Sequence, residues 1–529
     1  MNILLVIASI GFSLWIVKNT FFWVSLWQLK EYRFDRFFIH LRDTMQGRDI
    51  LFSPLLFLKI AAILAYTYAL SAHENLLPYD FFVFLTFTLQ GIFVLGEMSS
   101  GNIKRPVLTY KAFAITFLTF ICIFSLFFFP FIFEGFFWLL IIERLIPFIV
   151  AILIFFFSFP TEFYQDLQIK RAAEKIRAAK KLLVIGVTGS YGKSSTKDYI
   201  AQILGKEFRV VKTKGTNNTP IGVANTILSG LQKNTEIFIV EMGAYKIGEI
   251  DQICQIVHPK IGVLTAVNQQ HLSLFGSVEN TMRAKYELVE SLPKNGIAIF
   301  NGNNANSYNL YKKTKKKKIL YVCDMSIKSD IKARSVVVEE TRISFDVYLK
   351  RRKLHMEAPL LGGHNIENIL PGIYIADFLG VSAERIKKAV GRLTPLPKTM
   401  VKHEVGGISV IDDTFNANPK SVLAALDYIK IYKGKKTLVL QPMIELGKEA
   451  ESEHYRIGLA ISSICDFLFL TSKNFFSSVN KGIKDGNGKC VVKSGSVAEL
   501  LSFINKLSKK GDIVFFEGKE AGLVLNKML

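Results

Sequence analysis

Cysteine is scarce and unpatterned. The 529 residues hold five, Cys122, Cys254, Cys323, Cys465 and Cys490, with no Cys-x-x-Cys pair. An odd, scattered set argues against a disulfide framework and a cysteine-built zinc site, and reads as reduced thiols serving as small buried hydrophobes. Charge is scarce in one region only. Residues 1–160 hold 29 of the 44 Phe but just 11 Lys/Arg and 9 Asp/Glu, so nearly all of the net charge of +22 belongs to residues 161–529. A mean hydropathy of +0.29 excludes a disordered or collagen-like chain and argues against a fully soluble one. The length suits about three or four domains. The sharpest basic run, Lys312 to Lys318, is broken only by Thr314. Such runs are usually solvated loops, and no nucleic-acid partner is expected.

A membrane-crossing helix needs ~20 mostly apolar residues. Five stretches qualify, at 2–28, 51–72, 79–98, 107–130 and 135–159. The first lacks a basic leader and a small-residue cleavage site, which argues against a removed signal peptide. Lys18 lies in the first stretch, and Glu143 and Arg144 lie in the fifth. Ionisable groups at membrane depth are costly and mark a cavity, a partner or the interface. Glu143 and Arg144 therefore read either as a functional site or as a helix end or break. The loop at 29–50 carries Lys30, Arg33, Arg36, Arg42 and Arg48, and the loop at 99–111 carries Lys104, Arg105 and Lys111. The turns at 73–78 and 131–134 carry no Lys or Arg, and 161–181 is again basic. Positive loops stay on the cytoplasmic side. The alternation predicts an outside N-terminus and a cytoplasmic C-terminal body, with 161–181 a polar helical linker.

Leu182–Val187 is a short buried-strand run, and Thr188-Gly189-Ser190-Tyr191-Gly192-Lys193-Ser194-Ser195 follows it, opening the helical run 197–204. Strand, glycine-rich turn and helix start together make an anion site, because backbone N–H groups approach the phosphates and the helix adds its positive end. Lys193 would reach the β/γ-phosphates of a nucleotide and Ser194 would ligate Mg²⁺. The strict Walker spacing lacks its first glycine, Val187 standing there.

The run GVTGSYGKSS resembles the phosphate loop of the Mur ligase family, ATP-dependent amide-forming enzymes of peptidoglycan synthesis. An ordered series of further matches covers residues 182–529. It comprises Thr216-Asn217-Asn218 with Ile221-Gly222-Val223, Glu241-Met242-Gly243-Ala244, and His271-Leu272 with Phe275-Gly276-Ser277 and Ala284-Lys285-Tyr286-Glu287-Leu288. It continues with Gly363-His364-Asn365 and Asn368, Asp412-Asp413-Thr414-Phe415-Asn416-Ala417-Asn418-Pro419, and Met443–Gly447 with His454. The Glu-Met-Gly-Ala and Asn-Ala-Asn-Pro pieces resemble the branch that adds D-alanyl-D-alanine to a UDP-muramoyl tripeptide.

The resemblance implies ATP and Mg²⁺ as cofactors, with Thr188, Gly189, Ser190, Gly192, Lys193, Ser194 and Ser195 around the phosphates. It makes Glu241 and His271 metal ligands beside Ser194, although a lone His is more often a structural hydrogen bonder. Lys193, His271 and Lys285 are the implied catalytic set. Lys285 resembles a lysine carried as a carbamate by several members, and an unmodified lysine on an amphipathic helix is the alternative. His364, Asn365 and Asn368 belong to the implied nucleotide pocket, with helix capping by Asn365 an alternative or additional role. Asp412, Asp413, Asn416 and Asn418 would lie on the loop that closes over ATP, and Pro419 opens a helix.

Three departures accompany the resemblance. The family's UDP-binding amino-terminal domain is replaced by the apolar stretches. Pro397-Lys398-Thr399-Met400 stands where a Gly-Arg is expected. Gln441-Pro442 replaces a glycine-containing turn, and Glu517-Gly518-Lys519 replaces Lys-Gly-Ser. The expected architecture is an N-terminal helical membrane region (1–160) and the linker (161–181). An α/β doubly wound ATP-binding domain (182–395) and a smaller α/β domain (396–529) follow. The expected activity is a membrane-anchored ligase joining a muramoyl-peptide acceptor to D-Ala-D-Ala or a similar amine. The acceptor is soluble or lipid-linked; membrane lipid and other wall-synthesis proteins are further partners. A non-catalytic scaffold with a degenerate ligase body is the alternative class. ATP-driven transport would need a dimeric ATPase signature that was not found.

Overall fold

The computed structural model describes residues 2–43, 45–72, 75–101, 103–128, 137–215, 217–268 and 275–529. They form two compact units, 1–166 and 167–529.

The first unit is helical. Its long helices are Asn2–Leu29, Pro54–Ser71, Leu77–Ser99, Tyr110–Phe128 and Phe137–Ala178, the last running into the second unit. Among the described residues, four segments (6–29, 47–71, 77–99 and 138–178) are long and apolar enough to cross a membrane, and Tyr110–Leu126 is apolar but shorter. The first and third of the long helices meet where neither has a side chain. A Cβ on Gly91 would lie 2.6 Å from the Gly11 Cα, the kind of close backbone approach small residues permit. Phe12 and Phe87 then pack edge to face, 4.9 Å apart.

Glu143 lies inside an unbroken helix, so the break expected there as one alternative is not present. Its carboxylate is fully buried. It accepts from Trp15 Nε1 at 2.7 Å, from Lys59 Nζ at 2.7 and 2.6 Å, and from Arg144 Nη2 at 2.5 Å. Three helices are thereby tied through one charge cluster centred on Glu143. The final helix also continues through Pro147 and Pro160, so the fifth apolar stretch and the polar segment after it are one element as far as Ala178.

The second unit holds two sheets. The larger comprises β1 (Leu183–Thr188), β2 (Val210–Lys212), β3 (Ile237–Glu241), β4 (Ile261–Leu264), β5 (Ile297–Asn301), β6 (Lys318–Cys323), β7 (Ile331–Val338), β8 (Ile343–Leu349) and β9 (Arg352–Ala358). Their order is β2-β3-β1-β4-β5-β6-β7-β8-β9, parallel through β7, with β8 and β9 antiparallel. Both faces of the parallel strands are covered, which explains why the strand at 183–188 has no polar alternation. Ile185 and Val187 enter one core with Ile200 and Ile373, while Val184 enters the other with Phe238, Ala172 and Ile176. The C-terminal end of the Phe137–Ala178 helix is fastened there by Lys175 Nζ, which donates to the Ile227 and Leu228 carbonyls.

The smaller sheet comprises β10 (Val401–Val405), β11 (Ile408–Asp413), β12 (Lys436–Leu440), β13 (Phe467–Leu470), β14 (Val491–Ser494) and β15 (Ile513–Glu517), ordered β10-β11-β15-β12-β13-β14. All pairs are parallel except β10 with β11. The doubly wound body with a smaller α/β domain after it matches the fold class expected from the sequence.

Candidate active site

In the larger sheet the chain leaves β1 toward β2 and β3 on one side, then returns to β4 on the other. The carboxyl end of β1 is therefore the topological switch point, where doubly wound sheets bind ligands. The loop 189–192 lies there and opens the helix Lys193–Leu204. Two glycines are required by geometry. Gly189 has φ +147°, and a Cβ on it would sit 2.0 Å from Thr265 Oγ1. Gly192 has φ +77°, and its Cβ would meet Asn368 Oδ1 at 2.5 Å. The loop is braced from just beyond β4, where Thr265 Oγ1 donates to the Tyr191 carbonyl (2.6 Å), and the end of β1 is tied to the residue after β3, Thr188 Oγ1 donating to the Met242 carbonyl (2.8 Å).

Lys193 folds over this loop. Its Nζ donates to the carbonyls of Gly189 (2.8 Å) and Ser190 (3.0 Å), and no described carboxylate pairs with it. Burial pulls its pKa below the ordinary lysine range, with Glu241 opposing the shift. An ammonium held by carbonyls beside a glycine-flanked loop and a helix N-terminus fits a nucleotide phosphate. Ser190 is buried in the loop, while Ser194 and Ser195 are partly exposed at the helix start.

Glu241 ends β3 and is 1% exposed. Its Oε2 accepts from Lys197 Nζ at 3.0 Å and its Oε1 from Asn218 Nδ2 at 3.1 Å, while Lys197 also donates to the Gly215 carbonyl. Sequence reasoning missed Lys197. It lies one helical turn after Lys193, on the same face, and that spacing was the available signal. Lys285, on the helix Val278–Glu290, is 4% exposed and points Nζ at the Ala244 carbonyl, 3.5 Å away. Burial, reinforced by the charge of Lys193, pulls its pKa down to about 7, with Glu249 and Glu287 opposing. His271 lies outside the described residues. Among the described residues no group of three or more His, Cys, Asp or Glu converges as a metal centre. The oxygen donors that fit a hard cation are Glu241 and Ser194.

The helix Asn365–Phe378 brings its start against the phosphate loop. Asn368 Oδ1 accepts from Thr196 Oγ1 at 3.3 Å. Asn365 does not cap the helix; His364 holds that position. The Asn365 amide donates to the Leu361 carbonyl, and its Oδ1 accepts from Tyr199 OH. His364 Nδ1 is buried without a hydrogen-bond partner among the described residues, and burial with the nearby Lys420 pulls the imidazole down to about 4, Glu367 opposing. Glu367 bridges the two domains, accepting from Asn301 (2.8 Å) in one and Lys420 (2.9 Å) in the other.

On the smaller domain, Asp412 Oδ1 accepts from the Thr414 N–H and hydroxyl and so shapes its own loop. Asn418 caps the helix Pro419–Ile429 in a reciprocal box with Ser421, and Asn416 is exposed. Asp413 lies opposite Glu517 in the β11–β15 register, both buried. Burial pushes the Asp413 carboxyl up to about 7, and burial with the adjoining Asp413 holds Glu517 well above the carboxylate range. His454 is a brace: Nε2 accepts from the Met443 N–H and Nδ1 donates to the Ala450 carbonyl.

A phosphate-binding loop at the switch point of a doubly wound sheet, with a second α/β domain bridged to it, defines a two-domain nucleotide-dependent enzyme. Comparison with known proteins narrows the class. Residues 187–376 match the Mur ligase middle domain, and 399–520 match the Mur ligase glutamate ligase domain. The UDP-N-acetylmuramoyl-tripeptide–D-alanyl-D-alanine ligase of Bacillus subtilis is 31% identical over 354 residues, 65% of this chain and 75% of that protein. The Escherichia coli ligase of the same name is 30% identical over 278 residues, 52% of this chain and 61% of that protein. The crystal structure of MurF from Acinetobacter baumannii superposes with a TM-score of 0.63 at 25% identity, covering 69% of this chain and 80% of that one. MurF from Thermotoga maritima in complex with ADP shows the same fold, with a TM-score of 0.62 at 24% identity over 69% and 83% of the two chains. The chain belongs to the Mur ligase family, ATP-dependent amide ligases of peptidoglycan synthesis.

Proposed function

We propose that the chain is a membrane-anchored ligase that joins the terminal carboxylate of a muramoyl peptide to an amine of the D-alanyl-D-alanine class. The observation that carries this reading is the placing of Lys193 on the loop after β1, Glu241 at the end of β3 and Lys285 against the Ala244 carbonyl just beyond β3, with the charge of Lys193 acting on Lys285 and that of Glu241 on Lys193. A carboxylate has no leaving group, so an amide forms only after activation. One acceptor oxygen attacks the γ-phosphorus of ATP, giving an acyl phosphate and ADP. The amine then attacks the carbonyl carbon, the C–O bond to phosphate breaks, and the nitrogen loses a proton. The first step is mainly a matter of positioning and charge neutralisation.

Lys193 and the N–H groups of 189–194 hold the β/γ-phosphates in this reading. Thr188 and Ser195 flank that cradle, and Asn368 packs against it at Gly192. Mg²⁺, when bound, supplies charge neutralisation there; Ser194 and Glu241 would hold it, with His271 the third expected ligand. Lys285 lies where the acceptor carboxylate would approach. Its pKa of about 7 gives a neutral fraction able to take up CO₂ as a carbamate. Of the loop residues on the smaller domain, exposed Asn416 is the one placed to meet the nucleotide when that domain closes about 393–400, while Asp412, Asp413 and Asn418 shape the loop that carries it and Asn365 braces the opposite wall beside His364. The Lys/Arg asymmetry of the loops supports an outside N-terminus and a cytoplasmic ligase body.

The apolar unit, lying outside both matched segments, favours a second version in which the acceptor is lipid-linked. Parallel incubations with labelled D-Ala-D-Ala and either the soluble UDP-muramoyl tripeptide or its lipid-linked form separate the two. Label in the soluble product supports the first version. Label in the lipid product alone would overturn it. A Lys193→Ala protein that complements wall growth at normal level and location would support the scaffold instead.

A further inference from the structure

The helices Asn2–Leu29 and Leu77–Ser99 touch at Gly11 and Gly91, and beyond that point their side chains leave a gap between them. The gap is a cavity of about 220 Å³. Leu14, Val17 and Phe21 form one wall, Val94 and Met98 the other, and Ile103 covers one end. From Gly11 to Phe21 the wall runs about 15 Å at 1.5 Å per residue.

The polar members of the lining are few. Lys18 is paired with Glu97 at 2.6 Å and lies 4.3 Å from the Phe93 ring centroid. Ser13 donates to its own helix, at the Ser9 carbonyl. Arg105, at the mouth, is exposed and makes no ion pair among the described residues. Its position is built. Gln28 grips the loop in both directions, its amide donating to the Val107 carbonyl (2.9 Å) and its Oε1 accepting from the Val107 N–H (2.7 Å). Lys104 brings a second cation to this end, 6.0 Å above the Phe22 ring. The groove is thus mostly apolar, crossed by one neutralised Lys18–Glu97 pair, and positive at one pinned end.

We propose that this groove binds an anionic phospholipid of the surrounding bilayer, one acyl chain lying between the two helices and the phosphate at Arg105. Charge complementarity selects an anionic headgroup: Ser13 and Lys18 are engaged by the protein itself, which leaves Arg105 as the polar lining group that meets it. The proposal rests on the reading that these helices lie in a bilayer.

Delipidated full-length protein, mixed with equal amounts of phosphatidylglycerol and phosphatidylcholine, is examined by native mass spectrometry for retained lipid. A cation near the membrane surface contributes roughly 1 kcal/mol to an anionic lipid, about fivefold. Wild type should retain phosphatidylglycerol about fivefold over phosphatidylcholine, and Arg105→Gln should bring the ratio near one. Val17→Trp, filling the groove from an exposed position, should lower occupancy by both lipids. Millimolar inorganic phosphate should displace neither. Equal retention by wild type, or a preference that survives Arg105→Gln, would overturn the site. Flotation of all three proteins with phosphatidylcholine vesicles checks the bilayer reading separately; failure of wild type to float would overturn that reading and the proposal with it.

Discussion

Replacing Lys197 with methionine isolates one buried interaction of the candidate site. Lys197 and Glu241 are each 1% exposed and meet at 3.0 Å, so solvent screens the pair little. Removing one partner of such a pair strands the other charge, at a cost of roughly 3–5 kcal/mol. Glu241 keeps its bond from Asn218, which places the loss near the lower end, about 3 kcal/mol. For a cooperative unit of ~150–250 residues each kcal/mol shifts Tm by ~2–4 °C, so a fall of roughly 6–12 °C is expected. Far-UV circular dichroism of the detergent-solubilised full chain would read it. Lys197→Met combined with Glu241→Gln should recover most of the lost stability, since a neutral pair leaves no orphan charge. A single variant melting within ~2 °C of wild type, or a double variant no better than the single, would refute the assignment of Lys197 as the buried counter-ion.

Other consequences can be measured in the same preparation. Gly189→Ala should cost at least ~10-fold in ATP affinity by equilibrium dialysis, because the added Cβ lands on Thr265 Oγ1 in a backbone conformation that L-residues avoid. Lys285 has a pKa lowered from 10.5 to about 7, so between those values the unfolded chain binds more protons than the native one. Wild type should therefore gain Tm relative to Lys285→Met as pH rises from 7 toward 10; a difference constant with pH would contradict the burial of that amine. Asp413 and Glu517 are shifted the other way, so their contribution is favourable in acid and is lost as pH rises from about 4 through about 7. Glu517→Gln should melt at least ~2 °C above wild type at pH 8 and show a flatter profile; a variant less stable at pH 8 would show that the two carboxyls do not repel.

The parts of this protein legible in the sequence are those whose cause is local. The phosphate loop announces itself because strand, glycine turn and helix are contiguous, and Glu241 because a strand run ends on it. The apolar helices follow from composition, and Pro419 with Asn418 marks a helix start. What escaped depends on contacts between distant segments. Glu143 was conspicuous as a charge in an apolar run, but its partners Lys59 and Trp15 are 84 and 128 residues away. The facing of Asp413 and Glu517 is set by the pairing of β11 with β15, more than a hundred residues apart. Asn365 looked like a cap because Asn often is one, and the chain turned one residue earlier. Lys197 was overlooked because a lysine in an amphipathic helix is ordinarily solvated, and only the packing against β3 shows that it is not.

The central claim is that the second unit carries out ATP-dependent peptide-bond formation. The most direct test is ADP release by the purified full chain with Mg-ATP, D-Ala-D-Ala and UDP-muramoyl tripeptide, with each component omitted in turn. The account predicts release that requires all three, a product heavier by the dipeptide less one water, and loss of release in Lys193→Ala. Protein shown to bind ATP that releases no ADP with this acceptor or with its lipid-linked form, or release unchanged in Lys193→Ala, would contradict it.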